Sequence, residues 1–140
     1  VVTDSDSTRS KKIAERASNL SKRYSSEQII IRCTSENLST FEKEIIDANK
    51  TDPNKEILFN ALIKTRPING KKLKKKYPSS PIEVEEFFNE IELRNDEGEK
   101  RGDFKSEFSM NLLYELNQKN QEGKFIIPSY IQEVFDFIVE

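Results

Sequence analysis

Apolar residues follow two different spacings along this chain of 140 residues, and each spacing limits the structure that its segment can form. Val1–Thr3 and Gln28–Cys33 are short runs rich in β-branched residues, which favour strands. Between them, apolar residues recur every three or four positions, as on the buried face of a helix: Ile13, Ala14, Ala17 and Leu20. A strand, a helix and a strand in this order predict a parallel βαβ unit with a right-handed crossover.

From residue 39 onward, the spacing predicts helices alone. Ser39 and Glu42 have the separation of a capping box, at the start of a helix that runs to about Asn49. Further helices are expected to start at Asp52-Pro53, at Ser80-Pro81, near Asp103 and at Pro128. Residues 66–70 and 95–102 have the composition of loops. We therefore predict an α/β fold, with a βαβ part in residues 1–50 and a mostly helical part in residues 51–140.

Composition removes several classes of function. The chain contains no histidine, which excludes a Ser-His-Asp site, a His-ligated zinc and a histidine general base. Its 23 basic side chains nearly balance its 25 acidic ones, so a polyanion would have to be bound locally. With Cys33 as the single cysteine and no apolar stretch of the roughly 20 residues that a bilayer requires, we expect a cytoplasmic protein without a membrane segment.

Two carboxylates, Asp4 and Asp6, directly follow the first predicted strand. The carboxyl end of a strand is where α/β sheets bind ligands, and two neighbouring negative charges favour a hard cation such as Mg²⁺ or Mn²⁺. An Asx turn or a helix-capping cluster explains the same residues equally well from the local sequence.

Four segments, taken together, resemble the OLD (overcoming lysogenization defect) family of Toprim nucleases. Val1–Ser7 is similar to the second metal-binding motif of Toprim domains, and the other three segments follow in the family's order, over almost the whole chain: Ser39–Ile45, Lys105–Ser109 and Ile127–Ile131. The resemblance implies that residues 1–50 are the carboxy-terminal part of a Toprim catalytic domain. Residues 51–140 would then be a helical subdomain that completes the site.

The resemblance also implies an activity, that of a two-metal DNA endonuclease. Asp4, Asp6 and Glu42 would bind Mg²⁺ or Mn²⁺, and Glu42 and Lys105 would act in catalysis, with Lys105 steadying the phosphate or the leaving oxygen. Such nucleases are usually joined to an amino-terminal ABC-type ATPase domain, and the Gabija phage-defence nuclease is a relative. A homo-oligomer is expected. Toprim domains use a further glutamate from an earlier strand, upstream of Val1, so we expect this chain to be a fragment that is inactive alone.

Alternative interpretations remain open at each position. Glu42 fits the third residue of a capping box, Lys105 fits a solvated helix surface, and the basic run of residues 71–76 fits either DNA phosphates or a solvated helical face. A haloacid-dehalogenase-like phosphatase also opens with V-V-x-D-x-D-x-T, although Ser7 stands where that fold expects glycine. A non-catalytic helical interaction or immunity module is the third alternative, and it predicts indifference to divalent metal.

Overall fold

A computed structural model describes the following residues of the chain: 2–3, 19, 22–23, 32–33, 38, 40–93, 102–118 and 125–139. The chain divides into two compact units. The first unit consists of Val1–Ile45 and Ile127–Glu140, and the second of Ile46–Ile126. The predicted domains, 1–50 and 51–140, stay a prediction.

Helices make up nearly all the regular structure of the described residues. Their bounds are α1 Phe41–Ala48, α2 Asn54–Thr65, α3 Pro67–Lys74, α4 Val84–Ile91, α5 Lys105–Gln118 and α6 Ser129–Val139. The apolar spacing predicted five of these helices to within a few residues, and α3 is the exception. Within the helix predicted for residues 10–23, the structure describes Asn19, Lys22 and Arg23, all helical.

The prediction of an α/β fold with a Toprim-type βαβ half is wrong. Among the described residues, the strands β1 (Val2–Thr3) and β2 (Arg32–Cys33) are two residues long and pair in parallel. Strands of globular sheets usually have five or six residues, and two strands alone rarely form a stable layer. The described helices therefore do not pack as a layer on a sheet, and the architecture of the described part is helical. Of the run Gln28–Cys33, only Arg32 and Cys33 lie within the described residues.

Helix α2 forms the centre of the second unit, where it packs against α3 and α5. Eight of its twelve residues are buried, which identifies it as a core helix rather than an amphipathic surface helix. Three aromatic rings from three helices meet beside it. The Phe87 ring lies 5.8 Å from that of Phe59 and 5.7 Å from that of Phe108, both in inclined arrangements. Each buried ring contributes roughly 1.5–3 kcal/mol to stability.

Helix α3 was not predicted, because Pro67 and Gly70 suggested a loop. Pro67 instead occupies the start of the helix, where its fixed φ is suited and its missing N–H is not needed. Gly70 is buried, and a Cβ atom added there would lie 2.9 Å from both the backbone N and the Cα of Ile63 on α2. Gly70 therefore permits the close approach of two helices rather than a turn.

The buried Lys55 fixes the segment that leads into α4. Its Nζ donates to the carbonyls of Tyr77 and Ser80, both at 3.1 Å, and lies 3.1 Å from a carboxylate oxygen of Asp52. The segment has no regular secondary structure, so its carbonyl groups need hydrogen-bond partners from elsewhere, and the ammonium group of Lys55 is one such donor. Helix α4 then begins with Glu83 as its cap, whose carboxylate accepts from two backbone N–H groups at 2.7 and 3.2 Å.

Candidate functional site

Two of the four predicted site residues, Asp4 and Asp6, lie outside the described residues. The other two are placed. Glu42 is the second residue of α1 and belongs to the first unit, whereas Lys105 is the first residue of α5 and belongs to the second unit. Both side chains are half-buried. Glu42 and Lys105 are therefore described separately, each within its own unit.

The start of α1 differs from the predicted capping box. The helix begins at Phe41, and the hydroxyl of Thr40 accepts a hydrogen bond from the backbone N–H of Lys43 at 3.4 Å. Thr40 is thus the capping residue, and Lys43 takes the third helical position that the capping box reserved for Glu42. Glu42 lies at the second position, in the turn where the helix dipole favours a carboxylate.

The start of α5 holds Lys105 in a defined setting. Its backbone N–H donates to the carboxylate of Asp103 at 2.9 Å, which is the hydrogen bond of a capped helix. Its Nζ lies 5.3 Å from the centroid of the Phe88 ring, and Phe88 is itself buried. The ammonium group therefore lies within the range of a cation–π contact with this ring.

A metal site cannot be assembled from the described residues alone. In the described ranges, no three histidine, cysteine, aspartate or glutamate side chains come together in a way that could hold an ion. The predicted ligands Asp4 and Asp6 lie outside these described ranges. Since their positions are undescribed, no coordination geometry follows for Glu42.

The sequence interpretation missed Asn49, which joins distant parts of the second unit. Asn49 is fully buried, and its Nδ2 donates to the carbonyl of Ile126 at 2.9 Å while its Oδ1 accepts from the N–H of Ile126 at 2.8 Å. Asn54 donates a further hydrogen bond to the same Oδ1 at 3.1 Å. The residue occupies the turn directly after α1, where asparagine is common, so its sequence position gave no sign of this role.

The basic run of residues 71–76 lies on α3 and the turn that follows it. Two of its lysines are paired with carboxylates from other helices, Lys74 with Glu56 and Lys76 with Glu86. The remaining three, Lys71, Lys72 and Lys75, are exposed. Arg66, just before α3, is paired with Glu90 and also donates to its backbone carbonyl at 3.1 Å.

The carboxylate of Glu86 lines a small cavity of about 230 Å³ between α3 and α4. It accepts hydrogen bonds from Lys76 and from the hydroxyl of Tyr77, and these two bonds lower the pKa of Glu86 below its ordinary value of 4.5. Burial, followed by the hydrogen bond to Glu86, raises the pKa of Tyr77 from 10.0 to about 12. Tyr77 therefore stays protonated, and Glu86 ionised, over the physiological range.

None of the helices in the described part is long and apolar enough to span a bilayer. Comparison of the chain with protein-family models, with curated proteins and with solved structures gives no match.

Proposed function

We propose that this chain is part of a divalent-metal-dependent DNA endonuclease of the OLD type. The observation that carries the proposal is the order of four family-like segments, which begin at Val1, Ser39, Lys105 and Ile127 and extend over almost the whole chain. The proposal concerns the activity and its residues. It does not restore the Toprim-type βαβ half, which the helical architecture contradicts.

The proposal assigns the same roles as the resemblance. Asp4, Asp6 and Glu42 bind Mg²⁺ or Mn²⁺, which would activate water and stabilise the leaving oxygen when bound. Lys105 supplies a fixed positive charge to the phosphate as negative charge develops on it. An ABC-type ATPase domain, a homo-oligomer and a role in phage defence belong to the same proposal.

The described neighbourhoods of Glu42 and Lys105 are compatible with these assignments. Glu42 competed with a capping-box role, and the start of α1 gives the third helical position to Lys43 instead. Lys105 competed with the role of a solvated lysine, and its ammonium group lies 5.3 Å from the centroid of the Phe88 ring. A side chain held in this way loses less conformational entropy when it contacts a phosphate.

The test is cleavage of supercoiled plasmid by a protein that contains this chain. With Mg²⁺ or Mn²⁺ it should nick or cut the plasmid, and Asp4→Ala or Asp6→Ala should each abolish cutting without changing the thermal melting temperature. Asp136→Ala is the matched control, because Asp136 is an exposed carboxylate on α6 that bonds to Gln132 and has no proposed role. Full cutting by both Asp4→Ala and Asp6→Ala would sink the proposal.

A non-catalytic helical interaction module is the second candidate. Helix α5 favours it, because Met110, Leu113 and Tyr114 lie on one face of that helix and are more than half exposed. Such a module predicts that neither EDTA nor Mg²⁺ changes any property of the protein. The plasmid assay therefore separates the two candidates, since only the nuclease loses activity when EDTA is added.

A further inference from the structure

The cations of residues 66–76 divide into two equal groups. Arg66, Lys74 and Lys76 each have a carboxylate partner within the second unit. Lys71, Lys72 and Lys75 have no carboxylate within ion-pair distance among the residues that the structure describes. Arg66, Lys74 and Lys76 thus link helices of the second unit. Lys71, Lys72 and Lys75 add three positive charges that form no ion pair with the described residues.

The three unused lysines lie on one face of α3. Together with Ile68, they occupy positions i, i+3, i+4 and i+7, which share one side of a helix. All four side chains are exposed, and Lys75 keeps helical backbone angles although it is the residue that caps α3. The opposite side of the helix is buried through Gly70 and Leu73. The lysines therefore project from a helix whose other side is fixed in the core.

Two described carboxylates near Lys72, those of Glu86 and Glu90, are already bound by other groups. Lys72 lines the same cavity as Glu86 and Glu90. Glu86 accepts hydrogen bonds from Lys76 and Tyr77, and Glu90 accepts them from Arg66 and from Asn69, the latter at 3.1 Å. Because these acids have partners, the face formed by Lys71, Lys72 and Lys75 carries positive charge that the described carboxylates do not pair with.

We infer that this face of α3 binds the phosphate backbone of DNA through Lys71, Lys72 and Lys75. The choice of DNA as the polyanion rests on the proposed function, and the inference adds the surface that would hold it. Neighbouring lysines on a helix have Cβ atoms about 5–6 Å apart, a separation at which flexible side chains reach adjacent phosphates. Ile68 is the exposed apolar residue of this face, and one such residue is too little for a helix that inserts into a lipid surface. Contacts of this kind position DNA without reading its sequence.

The test measures binding of the 140-residue chain to a fluorescein-labelled duplex by anisotropy, in EDTA and over a series of salt concentrations. The double variant Lys71→Gln, Lys75→Gln should weaken binding and lower the slope of log K against log salt by about 0.9 for each lysine removed. Adding Lys72→Gln to this double variant should lower the slope of log K against log salt by about 0.9 again. The matched control, Lys74→Gln with Lys76→Gln, removes two charges from the same stretch and should keep most of the slope.

Replacement by arginine, Lys71→Arg with Lys75→Arg, preserves the charge and should preserve the slope. Equal losses in the two glutamine doubles, or no DNA binding by the unchanged chain, would overturn the inference. Lysine-dependent binding to vesicles of phosphatidylglycerol and phosphatidylcholine, with no such dependence for DNA, would overturn it in favour of a membrane. The binding assay contains EDTA and requires no cutting, so it tests the lysine face alone. The proposed function is tested separately, by plasmid cleavage with Asp4→Ala and Asp6→Ala.

Discussion

The side-chain amide of Asn49 is hydrogen-bonded to the backbone of Ile126 in both directions, as donor at 2.9 Å and as acceptor at 2.8 Å. The two residues are 77 positions apart, so this side chain connects the first and the last few residues of the second unit. The pattern imitates the paired hydrogen bonds of an antiparallel ladder, which require both a donor and an acceptor from the same residue. An amide meets this requirement, and neither a carboxylate nor an aliphatic side chain does.

We expect Asn49→Ala to lower the free energy of unfolding by about 2–3 kcal/mol, because it breaks three hydrogen bonds of a fully buried amide. Asn49→Asp should also destabilise the protein at neutral pH, since a carboxylate would face the Ile126 carbonyl. Urea denaturation measures both variants. The control is Asn89→Ala at an exposed position, with an expected change within about 0.5 kcal/mol. Equal stability of Asn49→Ala and the control would contradict the role of the amide.

Gly70→Ala is expected to destabilise the protein despite the better helix propensity of alanine. The propensity gain is about 1 kcal/mol, whereas forcing a Cβ atom to within 2.9 Å of the Ile63 backbone costs about 1–3 kcal/mol. The net loss should therefore be about 1 kcal/mol or more by urea denaturation. Gly102→Ala is the control, because its Cβ would meet the movable tip of Leu93 at 3.3 Å and should change stability little. A stabilised Gly70→Ala variant would contradict the close helix contact.

The burial of Tyr77, the hydrogen bond from Lys76 to Glu86 and the hydrogen bond between Tyr77 and Glu86 should together make stability depend on pH at both ends of the scale. The pKa of Tyr77 is raised to about 12, so the contribution of Tyr77 to the free energy of unfolding is fully present below pH 10.0. This contribution is lost as pH rises towards 12. The lowered pKa of Glu86 means that its contribution is present above pH 4.5 and is lost as pH falls through the folded value.

Two variants isolate these contributions from the other titrating groups. The stability difference between the unchanged protein and Tyr77→Phe, about 1 kcal/mol near neutrality, should shrink between pH about 10 and 12. The difference from Glu86→Gln should shrink as pH falls below about 4.5. Urea denaturation at several pH values gives both differences. Differences that stay constant across these ranges would contradict the raised pKa of Tyr77 and the lowered pKa of Glu86.

The helices with regular apolar spacing could be predicted from the sequence because their pattern is local. In α4, for example, Phe87, Phe88 and Ile91 are buried as their spacing indicated. Helix α3 could not be predicted, because the role of Gly70 depends on how closely Ile63 approaches it in three dimensions. The hydrogen bonds of Asn49 and Lys55 were missed for the same reason, since their partners are distant in sequence or are backbone carbonyls that carry no residue signature.

The candidate site was predictable only as a set of residue types in a family-like order. Capping rules at Ser39 and Glu42 placed the start of α1 too early, because Ser39 and Thr40 are both good caps and sequence alone does not choose between adjacent ones. Whether Glu42 and Lys105 meet depends on tertiary structure, which local patterns do not encode. The assignment of Asp4 and Asp6 remains a prediction from their motif.

Lys105 offers the sharpest separation of a catalytic role from a structural one. If its ammonium group stabilises the phosphate, Lys105→Gln should lower kcat for plasmid cutting by about 100-fold or more, with little change in KM. Its contact with the Phe88 ring is worth only about 0.5–1 kcal/mol, so the melting temperature should move slightly. Lys64→Gln is the matched control, because Lys64 lies 3.6 Å from the Tyr114 ring centroid and pairs with the buried Glu115. That variant should lose more stability than Lys105→Gln and yet keep its kcat, because an unpaired buried carboxylate is costly but remote from the reaction. Unchanged kcat in Lys105→Gln would assign this lysine to packing alone.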